Sequence, residues 1–144
     1  MSPKNNDPDL FRVLVYDLSA RRGDIVLVPG RGRYIGGSGL AALLFEKYGL
    51  PTAPPFDPGQ PLIFAIGPLT GYFPLMSKTV CAFKSPYHGQ FAESHAGGRS
   101  ALSLFFAGVD ALVVVGRAER PVALALGSRK LTVSDAHFLW GADV

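Results

Sequence analysis

Glycine-containing loops in the middle of the chain carry the chemistry that the residue types suggest most strongly. Two such loops flank a short apolar segment in residues 67–98, which read GPLTGYFPLMSKTVCAFKSPYHGQFAESHAGG. Loops of this kind bring main-chain N–H groups, rather than bulky side chains, next to an anionic ligand. Gly97 and Gly98 also lead directly into a helical pattern, and the N-terminal end of a helix favours phosphate. The segment therefore predicts a binding site for a phosphorylated cofactor.

Polar side chains flank these loops. Lys78 can reach an anionic acceptor, although a solvated lysine is the commoner outcome for such a residue. We expect Glu93 to orient Lys78 or Arg99 rather than to transfer a proton. His95 directly precedes the loop at 96–98, and the sequence is equally compatible with a structural loop histidine and with a ligand contact. These residues are the candidates for contacts around the predicted site.

Other familiar sites have little support in the sequence. The segment GRGRYIG follows a strand pattern, but its third glycine comes one residue too late for a dinucleotide fingerprint, and no P-loop motif occurs. A nucleotide-dependent dehydrogenase therefore ranks third, behind the two functions given at the end of this subsection. Saturable NAD binding would support it. The glycines at the next helix start, Gly36, Gly37 and Gly39, are compatible with close backbone packing or with ligand approach.

Metal ligands are also scarce. His88, His95 and His137 lack the spacing of a zinc site. Cys81 lies in an apolar strand pattern, which is typical of a buried thiol rather than a nucleophile. A single cysteine forms no internal disulfide and cannot supply the roughly four thiolates of an iron–sulfur cluster. Any such cluster must take its ligands from elsewhere.

Composition bounds the class of protein. A chain of 144 residues with 48% hydrophobic and 17% charged residues is typical of one folded domain. The net charge of +3 comes from scattered basic residues, which weakly favours an anionic partner and gives no case for nucleic acid. The N-terminus lacks the apolar core of a signal peptide, and no run approaches the roughly 18 apolar residues of a membrane span. We therefore predict a cytoplasmic protein without a membrane partner.

The elements that must position the loops are mostly strands. Alternating or continuous apolar runs predict strands over 10–18, 25–28, 62–66, 79–83, 90–93, 111–115, 122–126 and 130–133. Two helical patterns lie between them, one after Gly39 and one over 99–107, and a proline-rich surface connection occupies 50–61. Asp135 is placed to cap a short turn before Trp140. The fold class that follows is α+β, with a mixed or antiparallel sheet and two main intercalated helices.

Several consecutive segments are similar to one protein family in both order and spacing. They are IGGSGLAALLFEKYG, PLIFAIGPLTGYFP, KSPYHG, ESHAGGRSALSLFFAGVDALVVVGRAERPVALAL and DAHFLWG. From Val13 onward the chain resembles the N-terminal domain of the tungsten-containing aldehyde ferredoxin oxidoreductases. The resemblance implies that residues 1–144 are a single domain, an incomplete N-terminal cofactor-binding domain of a longer enzyme. The polypeptide ends where a helix could begin, which also favours a longer parent chain or a partner subunit.

The resemblance implies a cofactor and a reaction. In the family, two pterins hold tungsten, a magnesium ion bridges the pterin phosphates, and a 4Fe-4S cluster passes electrons to ferredoxin. Whether the metal here is tungsten or molybdenum stays open. The parent enzyme would oxidise an aldehyde plus water to a carboxylic acid, while this chain alone would be inactive. The alternative is a non-catalytic stand-alone domain that binds a partner protein or another anionic ligand, and homo-oligomers are compatible with both.

The resemblance also assigns roles to individual residues. Lys78 falls on the basic residue that links pterin and cluster, where the family more often has arginine. His95 falls on the residue whose main-chain carbonyl binds magnesium, where asparagine is frequent. Gly97 and Gly98 match the glycines that let the chain approach the pterin, and Ala96 precedes them. No catalytic residue is assigned, because the second cofactor loop, the cluster cysteines and the acid/base residues lie beyond position 144 in the family.

Overall fold

A six-stranded mixed sheet forms the centre of the fold. The structure, a computed structural model, describes residues 7–127 and 131–142. Along the chain the sheet contains β1 (Leu10–Asp17), β2 (Arg22–Pro29), β3 (Leu62–Ile66), β4 (Thr79–Lys84), β5 (Phe91–Ala96) and β6 (Ala111–Val115). Their order across the sheet is β2-β1-β6-β3-β4-β5, in which β1 and β6 run parallel and the other neighbours are antiparallel. The predicted α+β class with a mixed sheet is confirmed.

Helices and a small second sheet cover the two faces of this sheet. The helices are α1 (Arg31–Tyr34), α2 (Ser38–Tyr48) and α3 (Ser100–Ala107), and a second antiparallel sheet pairs β7 (Val122–Leu126) with β8 (Leu131–Asp135) before a 3-10 helix (His137–Leu139). The apolar cluster of α2 lies on one face, and that of α3 and β7 lies on the other. The predicted helices correspond to α2 and α3. Among the described residues no helix is long and apolar enough to cross a bilayer.

The sequence of β6 reflects its central place in the sheet. Successive strand residues point to opposite faces, so a strand covered on both sides needs apolar residues at every position. The sequence ALVVV meets this requirement: Val113 packs in the cluster beneath α2, and Leu112 and Val114 pack in the cluster beneath α3. On the α2 side, Leu40 and Leu44 are fully buried. Burial of these apolar side chains is the main force that joins the layers.

Some strand boundaries differ from those predicted. β2 begins at Arg22 rather than at residue 25 because it pairs with β1 along its whole length. β5 extends to Ala96, so His95 and Ala96 lie in a strand rather than in a loop as predicted. The last predicted strand corresponds to β8, while residue 130 and the predicted turn residues 128 and 129 lie outside the described residues. The predicted cap at Asp135 is present, because its Oδ1 accepts the N–H of His137 at 2.9 Å.

The short helix α1 follows β2 directly. Asp9 stabilises it from a distance in sequence: its carboxylate accepts the N–H groups of Gly30 at 3.1 Å and Gly32 at 2.9 Å. The Asp9 main-chain carbonyl also accepts the N–H of Arg31 at 3.0 Å. These bonds satisfy donors that a helix start leaves without intrahelical partners. The helix is thus a consequence of contacts with the segment before β1.

Lys84 organises the proline-rich connection between α2 and β3. Its Nζ donates to the main-chain carbonyls of Leu50, Pro51 and Ala53, at 3.3, 2.7 and 2.7 Å. Prolines cannot donate main-chain hydrogen bonds, so this segment relies on side chains, and Nε2 of Gln60 also donates to the carbonyls of Leu50 and Ala53, at 2.7 and 3.2 Å. The half-buried ammonium therefore acts as an internal anchor for the connection.

Replacing Lys84 with methionine should loosen this connection locally. The three charge-assisted hydrogen bonds would be lost, while the apolar stem of the side chain would stay. We expect amide hydrogen exchange in residues 52–60 to increase about tenfold or more, measured by mass spectrometry. Lys47→Met, which removes an exposed lysine at the end of α2, is the matched control and should leave that segment unchanged. Equal exchange in both variants would contradict the anchoring role.

Candidate cofactor-binding site

Strand register brings the predicted loops to one end of the large sheet. Ile66 at the end of β3 pairs with Thr79 at the start of β4, and Thr79 pairs with Ala96 at the end of β5. β3 and β5 lie on either side of β4, and adjacent strands are about 4.8 Å apart, so the segments that follow β3 and β5 leave the same end of the sheet roughly 10 Å apart. Lys78 lies directly before β4 at this same end and is exposed. The structure therefore places the two glycine segments at one end of the sheet, on either side of the start of β4.

The loop 97–99, which joins β5 to α3, presents a bare main chain. A Cβ atom built at Gly97 or Gly98 would meet no atom within 4 Å, and Gly98 has a φ of 102°, which favours glycine. Among the described residues, no acceptor is paired with the N–H groups of Gly97 and Gly98. Gly67 also faces open space. These are the properties expected of main-chain groups that contact a ligand.

Other glycines in the region serve packing instead. A Cβ at Gly36 would lie 3.0 Å from the carbonyl oxygen of Ile66, and one at Gly39 would clash with the carbonyl of Tyr34. At Gly71, a Cβ would lie 2.5 Å from the ring of Phe105. Of the two interpretations of the glycines at the start of α2, close backbone packing or approach of a ligand, the structure supports packing for Gly36 and Gly39. Gly71 likewise serves packing, against Phe105 of α3, rather than presenting a bare main chain.

His95 and Glu93 form a hydrogen-bonded chain with the first residue of α2. The Oγ of Ser38 donates to Oε1 of Glu93 at 3.0 Å, and Nε2 of His95 lies 3.0 Å from the same oxygen. An ionised carboxylate only accepts, so Nε2 carries a proton in this contact. The hydrogen bond from His95 lowers the pKa of the Glu93 carboxyl; burial partly opposes this, and the Ser38 bond and the His95 charge add to it.

The observed partners of Glu93 correct the sequence prediction. Glu93 was expected to orient Lys78 or Arg99, but its carboxylate contacts Ser38 and His95. The cause is the alternation of β5, which points Glu93 and His95 toward α2. Only the side chain of His95 takes part in the hydrogen bond to Glu93. The role that the resemblance implies for the main-chain carbonyl of His95, as a magnesium ligand, stays a prediction.

Side chains that the sequence analysis missed hold the other side of loop 97–99. Oγ1 of the buried Thr79 lies 2.7 Å from Oγ of Ser100, the first residue of α3. This contact ties the start of β4 to the start of α3 directly beyond the loop. Ser38 was missed as well, although a serine directly after two glycines at a helix start is a recognisable signal. The pairing of Thr79 with Ser100 has no comparable local signal.

An exposed apolar segment borders the site. Residues 69–76 connect β3 to β4, and their exposed large side chains are Leu69, Tyr72, Phe73, Leu75 and Met76. Tyr72 packs edge-on against Phe105 of α3, with ring centroids 5.6 Å apart. Exposed apolar patches of this kind are typical of surfaces that contact another protein or domain. The patch agrees with the sequence hypothesis that further protein covers this end.

The remaining metal and thiol candidates contribute little. Within residues 7–127 and 131–142, no three His, Cys, Asp or Glu side chains are grouped as metal ligands would be. Cys81 is half-buried in β4, and burial raises the pKa of its thiol. A raised pKa keeps the thiol protonated and weakly nucleophilic near neutrality. Any metal at this site would therefore need ligands from a cofactor or from main-chain groups.

Comparison with known proteins identifies the family. The profile described as "Aldehyde ferredoxin oxidoreductase, N-terminal domain" matches residues 13–144. The tungsten-containing aldehyde ferredoxin oxidoreductase of Pyrococcus furiosus is 38% identical over 113 residues, covering 78% of this chain and 19% of that protein. The "Aliphatic sulfonate oxidoreductase, WOR-like subunit" of the same organism is 32% identical over 112 residues, covering 76% and 18%.

A solved structure shows the same architecture. The active-site complex BamBC of benzoyl coenzyme A reductase, determined with 1,5 dienoyl-CoA, superposes with a TM-score of 0.83 at 30% identity, covering 90% of this chain and 21% of that one. The chain thus spans about a fifth of the length of the relatives that it matches. The family prediction made from the sequence is confirmed: this chain belongs to the aldehyde ferredoxin oxidoreductase family, in the region of its N-terminal domain.

Proposed function

We propose that this chain is the N-terminal tungstopterin-binding part of an aldehyde:ferredoxin oxidoreductase. The observation that carries the proposal is loop 97–99, where the N–H groups of Gly97 and Gly98 have no acceptor among the described residues and the Cβ positions of both are open, at the same sheet end as Lys78. The names of its relatives supply the tungsten and the oxidoreductase class. On this proposal residues 1–144 are an incomplete cofactor-binding domain, and the remainder of the parent enzyme or a partner subunit completes the site.

The chemistry of the exposed groups fits a large anionic cofactor. Main-chain N–H groups and the Lys78 ammonium are donors suited to phosphate and to ring acceptors. Open space at Gly97 and Gly98 allows close approach. The nearby carboxylate of Glu93 is held by Ser38 and His95 rather than left free beside the loop. Donors, space and charge are therefore compatible with binding through Lys78, Ala96, Gly97 and Gly98.

The chain would bind and orient the cofactor rather than perform chemistry itself. When bound, the metal–pterin group supplies the redox chemistry that oxidises an aldehyde and water to a carboxylic acid. Loop 97–99 would hold its anionic groups, Lys78 would add positive charge, and the main-chain carbonyl of His95 would serve as a magnesium ligand. A carbonyl ligand is independent of the side chain, so histidine in place of asparagine is compatible with it.

Electron transfer and location belong to the parent protein. We propose that a 4Fe-4S cluster with ligands outside this chain passes electrons to ferredoxin, and that the enzyme works in the cytoplasm. An aldehyde is the proposed substrate because a tungsten-containing relative bears that name. The sulfonate and benzoyl coenzyme A relatives are named for other substrates, so the pocket that selects the substrate would lie outside this domain. The isolated chain is expected to be inactive.

Metal analysis of the full-length protein tests this proposal. The protein would be purified from its native source and analysed by inductively coupled plasma mass spectrometry. We expect tungsten or molybdenum in stoichiometric amounts that co-elute with the protein, and neighbouring column fractions serve as the background control. Finding neither metal would overturn the proposal and would favour the non-catalytic binding domain instead.

A further inference from the structure

We propose that Glu93 is a positioning residue that fastens the end of β5, and with it loop 97–99, to the start of α2. The mechanical part of this inference stands on contacts within the chain. Its consequence for the cofactor rests on the proposed function.

β5 needs such a fastening because it is an outer strand. It pairs with β4 along one side only, and the residues from Glu93 to Gly98 are exposed. Gly97 and Gly98 have no side chains that pack, and their N–H groups form no hydrogen bond within the described chain. A main-chain segment of this kind opens readily unless something else holds it. Side chains on either side of the loop must therefore define its conformation.

Glu93 supplies the contact on the side before the loop. Its Oε1 accepts from the Oγ of Ser38 and from Nε2 of His95, both at 3.0 Å. The start of α2 is itself fixed, because the N–H of Gly37 donates to the carbonyl of Ile66 at 2.8 Å. A continuous path of hydrogen bonds thus runs from the end of β3, through the start of α2, to β5. Phe45 on α2 also packs against Phe91, with ring centroids 5.2 Å apart, at the far end of the strand.

Ser100 supplies the contact on the side beyond the loop. Its Oγ lies 2.7 Å from Oγ1 of the buried Thr79. Loop 97–99 is therefore held between two side-chain contacts, one to α2 and one to β4. Loss of the Glu93–Ser38 contact would loosen the loop together with the last residues of β5. The Thr79–Ser100 contact would still hold the start of α3.

The charge of Glu93 supports a positioning role over a direct contact with the cofactor. A free carboxylate beside an anion-binding loop would repel the ligand. Here two donors converge on one carboxylate oxygen, and the group points toward the start of α2, where the helix dipole favours negative charge. The residue thus stabilises the loop without competing for its ligand.

Hydrogen exchange of the full-length protein tests the mechanical part. The protein would be expressed without tungsten or molybdenum, so that cofactor loss cannot itself change the exchange. For Glu93→Ala we expect the amides of β5 at 92–96, where the strand pairs with β4, to exchange about three- to tenfold faster. Glu93→Gln should stay close to the parent, because its amide oxygen accepts the same two bonds. Ser38→Ala should accelerate exchange less, and adding it to Glu93→Ala should change little, since both act through one contact.

A matched control exists at the opposite edge of the sheet. Asp24 on β2 forms an exposed pair with Arg22 at 2.9 Å, so Asp24→Ala removes a paired edge-strand carboxylate, with a side chain 59% exposed against 31% for Glu93. It should leave amides 92–96 unchanged. If Glu93→Ala unfolds the protein, Ser38→Ala alone decides the question, because it removes only a hydroxyl.

The outcomes separate this inference from the proposed function. Unchanged exchange at 92–96 in Glu93→Ala and Ser38→Ala, or no rescue by Glu93→Gln, overturns the positioning role. With tungsten and molybdenum supplied, Glu93→Ala should also contain several-fold less metal than Asp24→Ala. Faster exchange with full metal content would support the positioning role and overturn the cofactor site at loop 97–99.

Discussion

Replacing Gly97 with valine should leave the domain folded and strip most of the metal from the full-length protein. The new Cβ would meet no atom within 4 Å, and the main chain at Gly97 is outside the left-handed region, so the fold has no reason to resist. The isopropyl group would instead occupy the open space above the loop and keep an anion from its N–H groups. Loss of two hydrogen bonds to a charged ligand would weaken binding roughly hundredfold or more.

The measurement is metal content per protomer, together with circular dichroism to confirm folding. Ala20→Val is the control, because it places the same isopropyl side chain at an exposed turn at the opposite end of the sheet. It should retain the metal. Gly98→Val is a less specific variant, since its φ of 102° strains any β-branched residue. Full metal content in folded Gly97→Val would contradict the proposed role of loop 97–99.

Replacing Lys78 with alanine should also lower the metal content, while arginine should preserve or raise it. Lys78 is exposed at the site end of the sheet, beside the exit of β5, and supplies positive charge there. Its loss would weaken the binding of an anionic group about tenfold. Arginine keeps the charge and adds a planar fork of donors, which matches the residue more frequent in the family.

Occupancy would be measured at limiting metal supply, where a tenfold loss of affinity is visible. Lys47→Ala removes an exposed lysine at the end of α2 and leaves the net charge equal to that of Lys78→Ala. If the two alanine variants lose metal equally, overall charge rather than position is responsible. In that case the assignment of Lys78 would be wrong.

The sequence was sufficient for the strands and for the approximate place of the candidate site. Continuous apolar runs such as ALVVV and LIFAI have few alternatives to buried strands, and glycine pairs mark loops reliably. The end of β5 was missed because Gly97 and Gly98 suggested an earlier loop. The strand continues there because its main chain stays paired with β4 as far as Ala96, and Glu93 contacts Ser38 on α2, which is 55 residues away in sequence.

The roles of individual glycines were beyond the reach of the sequence. Gly36 and Gly97 are both found near a helix start, yet one packs against the carbonyl of Ile66 and the other faces open space. That difference depends on which strands are neighbours, which local pattern does not encode. The same holds for α1, because its capping carboxylate, Asp9, precedes it by about two dozen residues, across the β1–β2 hairpin.

Both edges of the large sheet bear charged or polar side chains, with Arg22 and Asp24 on β2 and Glu93 and His95 on β5. Such edges resist the addition of a further strand from another molecule, which is a common route to aggregation. Strand addition is therefore disfavoured at both edges. The exposed apolar side chains at 69–76 form a different kind of surface, on which a partner would have to fit in shape as well as in polarity.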